Sequence, residues 1–445
     1  MAQHAERPGT PDLLALHERN PERYPFLLES VAGHPQSGRY DLLLAFPDWD
    51  SAESVADGGG FFQRLSAASL TAGEDPHDHG LPFAGGWFLF MAYEAARYVE
   101  TRLVLPDAPG QLPSAIAVRC PAALIVDRER GVTHAVSEDG RHLSELLADL
   151  AARPSPSRAE LSGALVDDVR EEPPERHLAG VRKVLDYLRS GDSFQINLSR
   201  AWTAKLKPDV SIGQVYRSLR ANNPAPFAGL ARFSSGTVLS SSPERLISIE
   251  KDGGLRRVQT RPIAGTRPRS EQVGEDQALR AQLVGSLKER AEHVMLIDLE
   301  RNDLGRVCEP GSVEVSELMT VESYAHVHHI VSNVRGVLKA GIGPGEAIAA
   351  VFPGGTITGC PKVRAMEIIA ELEGVGRGAY TGAMGYLSRS GRLDLNILIR
   401  SLVVADGEVT LRAGGGIVAD STPEAELAET RTKAKGLLRA LGVVA

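Results

Sequence analysis

The sequence predicts an α+β fold built on antiparallel sheet. Strand-like stretches come in runs and hairpins rather than alternating strictly with helices, which argues against a doubly wound parallel sheet. Helical periods of apolar residues, such as Leu178, Val181, Val184, Leu185 and Leu188, stand apart from those runs. No internal repeat or low-complexity tract points to another architecture.

Residues 40–46 form the first expected strand, stopped by Pro47, and the polar, Gly-rich residues 51–60 a loop. Residues 85–91 read as a buried strand entered through a Gly pair, with a helical turn at 93–97. Residues 122–127 and 132–136 make a hairpin across 128–131. Pro154-Ser155-Pro156-Ser157 and the acidic, Pro-containing residues 167–174 read as linker. They divide the chain into an N-terminal region, 1–165, and a second region, 173–443. There, residues 176–190 are helical up to Gly191, 194–199 and 238–244 are strands, and 246–249 pairs with 257–260. One helix is expected over 279–299, then strands at 326–334, 383–387, 395–402 and 409–413. Further helices are expected near 346–351, 365–372 and 423–441.

Composition narrows the function. The formal net charge is −8 and the Lys and Arg residues are scattered, which argues against nucleic acid as a partner. Cys120, Cys308 and Cys360 have no paired or metal-ligand spacing. No apolar run approaches a membrane span and no apolar segment follows His4, Glu6 and Arg7, so a cytoplasmic protein without a signal peptide or membrane contact is expected.

The chemistry centres on carboxylates. Glu289 and Glu292 stand three apart among good helix formers and share a helical face; Glu426 and Glu429 repeat the spacing far downstream. Either pair alone reads as a solvated face. If the helices meet, four acids converge, a costly arrangement unless a cation such as Mg2+ neutralises it. A di-iron site would need Glu-x-x-His twice, whereas His293 directly follows Glu292. Residues 352–362, Gly-rich and opening a helix, read equally as an anion-binding turn or an ordinary one. Gly414-Gly415-Gly416 suits either a bend whose amides bind a carboxylate or a plain flexible turn. Arg400, at the end of an apolar strand, needs a carboxylate of the protein or of a ligand. Lys433 shares a helical face with Glu429.

These residues sit in longer strings, and over roughly residues 173–443 the chain resembles the chorismate-utilising enzymes. The strings include Ser242-Pro243-Glu244-Arg245, residues 261–267, Lys288-Glu289, Ala291-Glu292-His293, and residues 298–304, 355–362, 382–386, 397–400 and 414–430. Residues 27–30 and 82–94 match more weakly. The resemblance implies one large unit of two packed antiparallel sheets with helices outside. It implies Mg2+ held directly by Glu292 and Glu429, with Glu289 and Glu426 acting through water, and chorismate as substrate. Tyr386, Arg400, Lys433, Thr356 and the amides of Gly414, Gly415 and Gly416 would then hold its carboxylates and enolpyruvyl arm. By the same likeness Glu244 is the general acid for the departing C4 hydroxyl and His329 lies against the ring.

Gln195 stands where isochorismate- and salicylate-forming members carry a Lys that activates water. An amide cannot take that proton, so ammonia is the expected nucleophile. Residues 194–199, 259–263 and 352–359 resemble the aminodeoxychorismate synthase component I branch, which aminates C4 on the route to 4-aminobenzoate and folate. Ala264 departs from it. Well-known members of that branch carry a nucleophilic Lys there, and anthranilate synthases, which aminate C2 on the tryptophan route, carry Ala. None of the cysteines sits in a Gly-x-Cys-x-Gly elbow, so a separate glutamine amidotransferase subunit is implied as ammonia source, and no lyase domain is expected after Ala445. Residues 27–30, with Ser30, resemble the family's tryptophan-binding edge and leave open whether tryptophan binds. A non-catalytic module binding Mg2+ and chorismate is the alternative of another class; the full set of acid, His and metal ligands argues against it.

Overall fold

Strands Gly86–Met91 and Ala122–Asp127 are buried at every position and need cover on both faces. The fold supplies it by stacking two antiparallel sheets. The structure, a computed structural model, describes residues 3–32, 38–54, 60–71, 80–152, 163–270, 272–324 and 327–443. The expected linker at 154–157 and part of the expected loop at 51–60 lie outside the described residues.

The first sheet has the order β1 (Gln3–Pro8), β8 (Val132–Ser137), β7 (Ala122–Asp127), β3 (Tyr40–Ala45), β2 (Phe26–Glu29), β11 (Phe227–Phe233), β12 (Gly236–Ser242), β21 (Ser401–Ala405), β22 (Glu408–Ile417), β10 (Gln195–Leu206) and β18 (Gly359–Cys360). Strand β9 (Val166–Glu171) also pairs with β10. The second runs β15 (Ile263–Pro268), β17 (Val327–Val337), β14 (Leu255–Arg261), β13 (Arg245–Asp252), β20 (Leu393–Ile397), β19 (Ala383–Ser388), β5 (Gly86–Met91), β6 (Ala115–Cys120) and β4 (Asp48–Ser54), with β16 (Glu314–Ser323) on β17. Each sheet draws strands from both sides of residues 165–173, so the two regions are stretches of sequence that share both sheets.

Between the sheets lies an aromatic core. Phe26 of the first stacks on Phe88 of the second at 3.8 Å between ring centres, a contact that adds ~1 kcal/mol beyond the area it buries. Leu42, Leu44, Phe90, Val118 and Phe233 fill the rest. Outside the first sheet pack α1 (Leu13–Arg19), α4 (Gly140–Ala151), α6 (Ile212–Asn222) and α11 (Pro423–Ala440). Outside the second pack α2 (Phe61–Thr71), α8 (Leu287–Gly305) and α9 (Pro344–Val351), while α10 (Lys362–Glu373) lies on β10 and β18 of the first. Helix α5 (Pro174–Arg189) covers β10 beside α10, α3 (Ala96–Val99) follows β5, and α7 (Val273–Gly285) leads into α8. The predicted α+β class and paired sheets are present.

Four local expectations change. The single helix over 279–299 is two, because Ser286 leaves the helical conformation and caps α8 by accepting from Glu289 N at 3.3 Å. Residues 167–174 are not all linker: β9 is an edge strand whose exposed side chains hide it from a burial pattern, and only Val166 is buried. Residues 51–54 likewise belong to the exposed strand β4. The strand expected over 395–402 is β20 and β21, one in each sheet.

Candidate active site

That last break builds the site. Between β20 and β21 the chain crosses from one sheet to the other, and Arg400 makes the corner in the left-handed region at φ 53°. Its carbonyl accepts from Ser241 N at 3.1 Å, and its Nη1 donates to Lys433 O at 3.0 Å. Burial pulls the guanidinium's pKa down against the pull of Tyr380 and Glu429. Among the described residues no carboxylate lies within ion-pair distance of Arg400, which leaves donors for an anion.

Beside the corner runs β22. Strand β21 pairs with it only as far as Leu411; beyond, β22 keeps β10 on one edge and, among the described residues, has no strand on the other. Gly414, Gly415 and Gly416 lie in this half-open stretch as extended strand, not as the bend expected from their composition. Their lack of a side chain serves close approach. A Cβ at Gly414 would come within 2.9 Å of the Tyr380 hydroxyl, and one at Gly415 within 3.1 Å of Glu426 Oε2 and 3.2 Å of Glu429 Oε1. A Cβ at Gly416 would press on Gln195 Nε2 at 2.5 Å. Lys433 ties the floor to the acids, donating to Gly414 O at 3.0 Å and pairing with Glu429 Oε1 at 2.6 Å.

The two carboxylate pairs come near enough for their charges to act on one another. Burial, with the nearby charges of Glu289, Glu429 and Glu426 opposing Lys288, pushes Glu292 up to about 7. Burial also raises Glu426, whereas in Glu429 the same burial is outweighed by Lys433, Lys288 and Arg400, which hold its carboxyl low. Glu289 packs against Gly265, which takes φ 69° at a bulge in β15, and pairs with Arg267 at 3.2 Å. Among the described residues no three acidic or imidazole side chains are close enough to form a finished metal cage. Lys288, at 3.8 Å from Glu292, and Lys433 carry the countercharge. The donor set still fits an oxygen-ligated cation: Glu292 Oε1 is buried without a hydrogen bond, and Gly415 leaves room under two more carboxylates.

Glu244, 4% exposed just past β12, is near enough to Lys433 to feel its charge. Burial raises it to about 8, although the Thr356 hydroxyl, the Ile263 amide (3.4 Å) and Lys433 favour its ionised form; Glu300 adds to the rise. At neutral pH it is a buried acid with a proton to give. His329, on β17, is pulled down to about 4, chiefly by burial, and is a neutral ring; its Nδ1 meets Thr266 Oγ1 at 3.0 Å and Gly265 O at 3.3 Å. Ala264 lies between Ile263 and Gly265, the residues that touch these two groups, and offers only a methyl. Thr356 Oγ1 and Gln195 Oε1 are buried without a hydrogen bond of good geometry.

Tyr386 is elsewhere. It lines a cavity of about 500 Å³ with Ser30, Arg245, Met384 and Asp394, which includes none of Arg400, Lys433 or Glu244. On β19 it stands opposite Asp394 in the second sheet, with its ring edge-on to Phe83. The tyrosine at the candidate site is Tyr380, buried against Gly414 and close enough to Arg400 for each to shift the other. Only the structure singles it out: Tyr380 precedes Thr381, which takes the left-handed region at φ 62°, and tight turns at strand ends carry site residues.

Similarity to known proteins identifies the family of the chain. The signature of the chorismate binding enzyme family matches residues 49–439. Anthranilate synthase component 1 of Thermus thermophilus is 44% identical over 81% of this chain and 78% of its own length. Aminodeoxychorismate synthase component 1 of Klebsiella aerogenes is 42% identical over 85% and 81%. The crystal structure of anthranilate synthase component I from Streptococcus pneumoniae superposes with a TM-score of 0.80 at 31% identity, covering 91% of this chain and 93% of that one. The chain therefore belongs to the chorismate binding enzyme family.

Proposed function

We propose that the chain is an aminodeoxychorismate synthase component I, which replaces the C4 hydroxyl of chorismate by an amino group. The observation that carries amination is Gln195. Its amide sits against Gly416 at the floor of the site with Oε1 unpartnered, and an amide cannot deprotonate water at pH 7. Ammonia needs no such base. The choice of C4 rests on residues 194–199, 259–263 and 352–359, which resemble that branch.

Each group then has a task. Arg400 and Lys433 bind carboxylate, with Tyr380 alongside. Glu292 and Glu429 would hold Mg2+ directly and Glu289 and Glu426 through water; bound there, Mg2+ supplies a cationic anchor for the ring carboxylate. Glu244 gives its proton to the leaving hydroxyl as the C–O bond breaks, and the C–N bond forms to ammonia. The proton that nitrogen sheds balances the one Glu244 gave, and water leaves. Neutral His329 borders the ring. A separate glutamine amidotransferase subunit would supply the ammonia.

A second reading, anthranilate synthase component I, has Ala264 in its favour, because no side chain there can attack the ring. Purified chain with chorismate, Mg2+ and high ammonium separates the two, with the product identified by mass and fluorescence. The expected product is 4-amino-4-deoxychorismate. Anthranilate would overturn the proposal in favour of the second reading, and no turnover would leave a binding module.

A further inference from the structure

Behind the site lies a charged network to which the proposed chemistry gives no task. Arg377, its side chain 1% exposed, spends one guanidinium on three pieces of backbone and side chain. Nη1 donates to Ile357 O at 3.0 Å. Nη2 donates to Asn197 O at 2.8 Å and to Glu373 Oε1 at 2.7 Å, and Nε reaches Glu373 Oε2 at 3.1 Å. Its plane lies 4.8 Å from the ring centre of Tyr93 and 5.7 Å from that of Tyr380. Glu373 also accepts from Ser199 N (2.8 Å), Ser199 Oγ (2.9 Å) and Arg412 Nη2 (2.9 Å). The loop bearing Arg377 is itself clamped, since Glu94 accepts from Arg377 N at 2.6 Å and from Gly378 N at 3.1 Å.

Four members of this network lie close in the chain or in space to a site residue. Ile357 follows Thr356, Asn197 lies two positions beyond Gln195 on β10, Arg412 lies two before Gly414 on β22, and Tyr380 borders Arg400. A buried Arg–Glu–Arg group gains little stability over apolar packing, because desolvation offsets most of its attraction. Its value here is geometric: a planar fork with five fixed donors can hold several partners at set separations, which a lysine cannot.

We infer that Arg377 is a positioning residue for the reaction, setting the Thr356 turn, the Gln195 strand and Tyr380 at working distances. This rests on the chorismate reading above. Arg377→Lys keeps a buried cation beside Glu373 and is the variant to make first. Folding, judged by circular dichroism and Tm, should be kept. Ammonium-dependent chorismate consumption should lose about 100-fold in kcat, the cost of a displacement near 1 Å. The KM for chorismate should move less than about threefold, since Arg400 and Lys433 remain. Added guanidinium should restore part of the rate to Arg377→Ala. Wild-type kcat in Arg377→Lys, a loss confined to KM, or failure of both variants to fold would each overturn the assignment. An inactive wild-type chain would instead remove the chorismate reading, and this inference with it.

Discussion

Two polar regions of the molecule invite a ligand, and they differ in kind. The cavity around Ser30 and Tyr386 is roomy, and its central charges are already paired. Arg245 meets Asp394 through two bonds of 2.8 Å, Ser30 N donates to Asp41 at 2.9 Å, and Glu29 accepts from Tyr216 at 2.8 Å and Arg220 at 3.0 Å. The region around Arg400 and Glu292 differs in the state of its polar groups. Among the described residues it holds a guanidinium without a carboxylate, a buried Glu292 oxygen without a hydrogen bond, and a buried Gln195 oxygen without one. An open cavity alone would point to the first as the reaction site; unsatisfied chemistry points to the second. Open space marks where something binds, whereas poised and unpaired groups mark where bonds change.

The sharpest way to break this contrast is to substitute in both regions. Glu244→Gln and Glu292→Gln should each lower chorismate consumption by about 1,000-fold or more, while Ser30→Ala stays within about twofold of wild type. Full activity in Glu292→Gln would remove the metal assignment. Next in size, Arg400→Gln should raise the chorismate KM by about 30-fold, the worth of a charge-assisted contact, as read from initial rates.

pH tests the state of Glu244. Its carboxyl, raised to about 8 from an ordinary value of 4.5, must be protonated to act, so kcat should fall as pH climbs past about 8. The same shift has a stability side. The folded state holds this proton more tightly than the unfolded chain, so the stabilisation is complete below the ordinary value and fades as pH rises through about 8. Glu244→Gln should therefore gain Tm relative to wild type at pH 9 compared with pH 5, although it is inactive. The smallest effect separates the tyrosines: Tyr380→Phe should cost about fivefold in kcat/KM, one hydrogen bond's worth, and Tyr386→Phe nothing measurable.

Much of this was legible in the sequence, for physical reasons. Buried strands such as β5 and β7 are continuous apolar runs, and the carboxylate pairs announce themselves by helical spacing. What was hidden depends on partners distant in the chain. The three glycines of β22 resemble a flexible turn until Gln195, Tyr380 and the acids of α11 are seen pressing on them. Residues 395–402 look like one strand because a change of sheet leaves no mark on hydropathy; only the left-handed corner at Arg400 reveals it. Edge strands β4 and β9 carry too few buried residues to register as strands. Tyr386 and Tyr380 lie six apart, and no local pattern tells which of them faces the substrate side.

The interleaving of the sheets also governs how the protein comes into being. Strand β5 is flanked on one side by β19, with Met91 opposite Ala383. During synthesis β5 leaves the ribosome long before that neighbour exists, with an apolar edge and both faces uncovered. Contacts of such sequence separation make folding slow and leave the nascent chain prone to aggregation. Production of active protein should therefore respond more to chaperone supply and lower growth temperature than to promoter strength. A chain cut anywhere in the 165–173 stretch would yield two pieces, neither of which can close a sheet alone.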